Sequence, residues 1–207
     1  MDHNPERAVM TDAEQDPVVE RFRPTNGRFS GILGLVGAAV VLVLAIVAWD
    51  PGLPLGIAIG ACLAALVVWV ALLRPAMWAT KRELVMRSML HTDHLPLAAI
   101  DRVGVGQVVA VSVAGKRYVS PTVGHSTRAT ARNRRTGTKP TATESYPVFV
   151  EERLAHLAKE DRERRGIAKG SPEQEALAAE RRRTFAWPEI VGLVVLAVAF
   201  VVWLVVH

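Results

Sequence analysis

Two imidazoles and a carboxylate stand close together in "HTDH", His91–His94. Such side chains hold zinc or move protons. A zinc site, however, needs helical i, i+4 spacing or a second ligand pair elsewhere, and neither accompanies this run. The run therefore reads as a solvated turn, with His125 and His156 as isolated surface residues. "GVGQVV" contains Gly104 and Gly106 but lacks the third glycine of a dinucleotide fingerprint, so it reads as a bend in a sheet. The lone Cys62 lies in an apolar run and closes no internal disulfide. No serine or cysteine occupies a nucleophile-elbow motif, so the expectation is a chain that is not an enzyme and uses no cofactor or metal. What remains is charge. Residues 121–143, "PTVGHSTRATARNRRTGTKPTAT", hold no acid but carry Arg128, Arg132, Arg134, Arg135 and Lys139. Between Thr, Ser and Gly, these read as a flexible basic loop. A negatively charged leaflet attracts each nearby Lys or Arg by about 1 kcal/mol. These five residues are therefore the candidate contact for anionic lipid, the plainer reading being a solvated insertion. With no aromatic side chain to stack on bases, nucleic acid is not the expected partner.

The elements that must position this charge are dominated by three uncharged apolar runs, Gly31–Trp49, Leu53–Leu73 and Ile190–Val206. At about 1.5 Å rise per residue, each is long enough for a hydrocarbon core of about 30 Å, the third only just. None shows the polar stripe of a surface helix. The first is too long, and too far from the start, for a cleavable signal. "DPGL" leaves so short a link between the first two that they form an antiparallel hairpin. Arg21, Arg23 and Arg28 precede the first run, Arg74, Lys81 and Arg82 follow the second, and Arg181, Arg182 and Arg183 precede the third. Residues 74–187 hold 21 Lys and Arg against 12 Asp and Glu. The bias predicts a cytoplasmic amino terminus and middle segment, with the Asp50 turn and His207 external. Gly52, Gly56, Gly60 and Ala64 recur every four residues along the second run. This small-residue ridge lets another helix approach closely. Its expected partner is the first helix, through Gly34 and Ala38, or a second copy of the chain.

Between the apolar runs the periodicity changes. "ELVMRS" reads as a strand, "MLHTDHLPL" as a turn and a second strand, and "LAAI" as a helical turn. "DRVGVGQVVAVSV" alternates with a bend at Gly104 or Gly106, and "KRYVS" returns through a hairpin at Ala114–Gly115. "ESYPVFVEERLAHLAKEDRERRG" follows with helical spacing, placing Tyr146, Phe149, Val150, Leu154 and Leu157 on one face. Ser171 and Pro172 then open a helix expected over Pro172–Trp187. Residues 1–20, acidic and without apolar periodicity, read as a disordered tail.

This order of parts, with "RPA" after the second run, "LVMRSML", "LPLAAID" and "GKRYVSP", resembles the bacterial PH-like domain membrane proteins common in actinobacteria. The resemblance covers about residues 74–165. It implies a small, strongly bent antiparallel sheet closed by a C-terminal helix. It implies little about function. Residues 124–143 depart from it as a long basic insertion. The expected organisation is an α+β membrane protein. A disordered acidic tail (1–28) leads to a transmembrane hairpin (29–73) and a cytoplasmic PH-like domain (74–166) with its basic loop (121–143). A helical linker (167–187) and a third transmembrane helix (188–207) follow. The expected location is a bacterial plasma membrane, crossed three times. The expected role is a binding or scaffolding module presented to anionic lipid or a protein partner. The alternative is an accessory subunit of a transport or cell-envelope complex, docked or dimerised through the second helix.

Overall fold

The computed structural model describes residues 17–24, 27–48, 53–124 and 142–206. Three helices carry the apolar runs. They are α1, Arg28–Val47, α2, Leu53–Val68, which widens into a π-helical turn over Trp69–Leu73, and α5, Trp187–Val206. Each is long and apolar enough to cross a membrane. Helix α2 lies between the other two, packing on both α1 and α5.

The other described residues build two antiparallel sheets and a long helix, α3, Ala142–Arg165, besides shorter turns. Strands β1, Glu20–Phe22, β2, Ala76–Ala79, β3, Glu83–Arg87, and β4, His91–Pro96, share a five-stranded sheet with β8, Arg182–Phe185. Its order is β1-β2-β3-β4-β8. Strands β5, Ile100–Val105, β6, Val109–Val113, and β7, Lys116–Ser120, form the second sheet in that order. A 3-10 turn, Leu97–Ala99, carries the chain from one sheet to the other. The alternation in β6 buries Val109, Val111 and Val113, which face Leu84, Met86, Leu95 and Ile100 in one core. Ala114 and Gly115 turn the β6–β7 hairpin with φ of 45° and 73°. Two successive left-handed residues suit the right-handed twist of the flanking strands.

Each sheet has two edges, and side chains link them at two seams, from α3 to β1 and β5 and from Arg181, beside β8, to Tyr118 of β7. Helix α3 seals the seam between β1 and β5. Its buried face is Val150, Leu154, Leu157 and Ala158, all core members. Toward β1, Arg153 Nε lies 2.6 Å from Glu20 Oε2, and the Arg23 N–H donates to the Tyr146 hydroxyl. Toward β5, the Val105 N–H donates to the Glu151 carboxylate and Arg162 donates to the Ile100 carbonyl. Asp161, buried at the far end of α3, accepts the Ala98 N–H and pairs with Arg164 and Arg165. Buried charge is tolerable here because hydrogen bonds and cations surround it.

Several expectations require correction. "HTDH" is not a turn but the first four residues of β4. The helix expected over Pro172–Trp187 is only α4, Pro172–Leu177, capped by Ser171 as expected and extended by a 3-10 turn over Ala178–Glu180. The chain then straightens into β8, because β4 offers a free edge that backbone groups can satisfy. The linker 167–187 is thus part of a sheet. Strand β1 emerges from the segment 1–28 expected to be disordered, anchored by buried Phe22. Strand β2 was not expected; in it Met77 and Ala79 are buried, while Trp78 turns outward beneath Arg87. Phe149, expected on the apolar face of α3, is about half exposed.

Candidate functional site: a basic cleft between two sheet edges

The second seam, between β7 and β8, is open. It forms a cleft of about 660 Å³. Strand β7 contributes Lys116, Arg117 and Tyr118, and the approach to β8 contributes Arg181, Arg182 and Arg183. His91 and Asp93 line it from β4. The register explains the grouping, since Asp93 lies opposite Arg183 and His94 opposite Arg182. Arg183 Nε lies 2.6 Å from Asp93 Oδ1, and this carboxylate holds the guanidinium more firmly protonated than an ordinary arginine. Arg181 spans the seam. It donates to the Tyr118 hydroxyl, and its guanidinium carbon lies 6.0 Å from the centre of that ring. The hydrogen bond engages one of the five guanidinium N–H donors and leaves others for a ligand. Lys116, Arg117 and Arg181 have no carboxylate partner among the described residues.

His91 and His94 do not share a site. Strand geometry sends side chains three residues apart to opposite faces. His91 Nε2 lies 3.2 Å from Asp93 Oδ2, in the cleft, whereas His94 Nδ1 lies 3.2 Å from Glu83 Oε2. No group of three or more His, Cys, Asp or Glu side chains is arranged to hold a metal ion among the described residues. The His94 hydrogen bond, helped by Arg182, holds the Glu83 carboxyl below its ordinary value of 4.5, against the opposing effect of burial. A depressed carboxyl stabilises the fold above its unfolded value and loses that contribution as pH falls through the folded value. Glu83→Gln should therefore flatten the acid limb of a pH–stability curve below about pH 4.5, with urea unfolding at a series of pH values as the measurement. An acid limb identical to that of the parent would exclude this role.

The small-residue ridge of α2 faces the chain's own α5. A Cβ at Gly56 would overlap the Trp203 ring, and one at Gly60 would meet the Phe200 ring at 3.3 Å. Ala64 borders a groove between α1 and α5 with Gly34, Ala38 and Phe200. The contact expected between the ridge and the first helix is thus replaced at Gly56 and Gly60 by contact with the third apolar helix. Gly34 instead meets Val68. Gly52 and the basic-loop residues Arg128, Arg132, Arg134, Arg135 and Lys139 lie outside the described residues, as does His125.

One residue joins the helices to the sheets. Arg74, just past the π turn of α2, has its Nε 2.9 Å from Glu189 Oε1 at the start of α5. Its Nη1 donates to the carbonyls of Ser88 and Met89 in the β3–β4 turn. The "RPA" signal pointed to this position without revealing its partners, which lie 14, 15 and 115 residues away. The cleft was equally hidden, because "GKRY" and "RRRTF" look like unrelated charged stretches until β8 adds to β4. Comparison of this chain with protein-family models, with curated proteins and with solved structures gives no match.

Proposed function

We propose that this chain is an integral protein of a bacterial plasma membrane, with helices α1, α2 and α5 spanning the bilayer. Its two sheets and α3 form a cytoplasmic PH-like module that binds at the anionic inner leaflet. The role is one of binding and scaffolding rather than catalysis. The PH-like reading is supported by two antiparallel sheets closed along one seam by a helix. The membrane reading is supported by three helices of 20, 21 and 20 residues with hydropathy of 2.6 to 2.8. Phe185 and Trp187, both exposed and in ring contact where α5 begins, have the character of an interfacial aromatic belt.

The observation that carries the reading is the continuity of β8 with α5. Only Ala186 separates the last residue of the strand from the helix. At about 3.3 Å per residue, Arg183 lies roughly 13 Å along the chain from Trp187. That is close to the Debye length of about 10 Å at 0.1 M salt, so the field of a charged leaflet reaches the cleft cations. An isolated fragment 74–166 would lack both β1 and β8, so the full chain is the proper test object. It should be reconstituted in nanodiscs of phosphatidylcholine alone, or of phosphatidylcholine with phosphatidylglycerol. Amide exchange in β7 and β8 should slow in the anionic discs, and the difference should vanish near 1 M salt, where the Debye length is about 3 Å. Equal exchange in both discs at low salt would refute leaflet binding.

A further inference from the structure

The β7–β8 cleft has a charge imbalance that the fold itself does not require. Arg183 is balanced by Asp93, and Arg182 by Glu83. Lys116, Arg117 and Arg181 are not balanced by any carboxylate among the described residues, yet they border one enclosure with the buried Tyr118. Cationic residues on an edge strand discourage edge-to-edge aggregation. That purpose would be served by charges pointing outward from either edge alone. It does not account for two edges converging on one cleft, or for a guanidinium hydrogen-bonded to a phenol across the seam.

We infer that this cleft is a binding site for a phosphomonoester, with Arg181 and Lys116 as its principal contacts. Such a group carries about −1.5 to −2 charge at neutral pH and three strong acceptor oxygens. It therefore offsets most of the local excess, whereas a phosphodiester brings one charge and fewer free oxygens. Arginine's planar fork suits a phosphate, and the hydrogen bond to the Tyr118 hydroxyl positions it before any ligand arrives. A volume of about 660 Å³ exceeds one phosphate group and leaves room for the moiety that bears it. The monoester can belong to a lipid headgroup or to a soluble metabolite. The lipid source rests on the membrane reading above; the chemistry of the cleft does not.

The test uses the full chain and two probes. Glycerol 3-phosphate is titrated calorimetrically against protein in phosphatidylcholine nanodiscs. In parallel, discs containing phosphatidic acid, a monoester, are compared with discs containing phosphatidylglycerol, a diester, by native mass spectrometry of retained lipid. Preference for phosphatidic acid identifies a lipid source, and binding of glycerol 3-phosphate a soluble one. In either case Lys116→Gln and Arg117→Gln, both at exposed positions, should weaken binding by about tenfold or more together. Arg102→Gln, an exposed cation on the opposite seam, should leave it unchanged. Tyr118→Phe keeps the ring and should weaken binding less than Arg181→Gln. If glycerol 3-phosphate does not bind and phosphatidic acid is retained no better than phosphatidylglycerol, or if the Arg102 and Lys116 variants behave alike, the cleft is not this site. Failure of the chain to enter nanodiscs would instead refute the membrane reading, and glycerol 3-phosphate binding would still be measurable in detergent.

Discussion

Gly56→Leu is expected to separate α2 from α5 and to lower the stability of the chain in detergent by about 3 kcal/mol, near the upper end for overpacking. The reason is local. Even a Cβ at this position overlaps the indole of Trp203, and the offending atoms belong to a bulky ring held by Phe200. Neighbouring glycines supply a graded comparison. Gly60→Leu should cost less, since its Cβ would stand 3.3 Å from the edge of Phe200. Gly37→Leu should be neutral or mildly stabilising, because nothing lies within 4 Å and leucine favours the helix over glycine. Thermal unfolding followed by the exposure of Cys62 to a thiol dye would order the three. If Gly56→Leu and Gly37→Leu unfold alike, close packing of α2 on α5 is not what the ridge does.

Arg74→Ala should be about as damaging, at roughly 3 kcal/mol, in the range seen when one partner of a largely buried ion pair is removed. Its side chain is 11% exposed, and three acceptors on two other elements depend on it. Removing it leaves Glu189 and two carbonyls of the β3–β4 turn without these donors. The cost should appear as a loosened junction between sheets and helices before the β core itself yields. Glu189→Gln keeps a polar acceptor and should cost about 1 kcal/mol. Hydrogen exchange resolved by segment is the measurement, with faster exchange expected in 88–91 and at the start of α5. Uniform acceleration across the β core instead would mean that Arg74 stabilises the whole fold rather than the junction.

The parts that could be read in the sequence are those whose pattern is local. An uncharged run of about twenty apolar residues has few alternatives, so the three apolar helices match their expected spans within three residues at each end. The β6–β7 hairpin was readable because alternation and a glycine turn occupy adjacent positions. Strand β8 was not. "RRRTF" carries little strand propensity, and only its register against β4, some ninety residues earlier, makes it one. Strand β1 is three residues long and depends on pairing with β2 across the whole of α1 and α2. The cleft inherits both difficulties, since its two sides lie more than sixty residues apart. The basic loop stands out by composition alone, whereas Lys116, Arg117 and Arg181 are distinguished only by their convergence and by the lack of carboxylates beside them among the described residues.

The orientation of the chain is the claim on which membrane tethering and leaflet binding both depend. Single cysteines are introduced at Asp50, between α1 and α2, and at Glu163, exposed near the end of α3, in a Cys62→Ala background. Intact cells are then treated with a membrane-impermeant thiol reagent. Asp50→Cys should be labelled in intact cells, and Glu163→Cys only after the membrane is permeabilised. Labelling of Glu163→Cys in intact cells, with Asp50→Cys protected, would put the module and its basic cleft outside the cell and rule out binding at the inner leaflet.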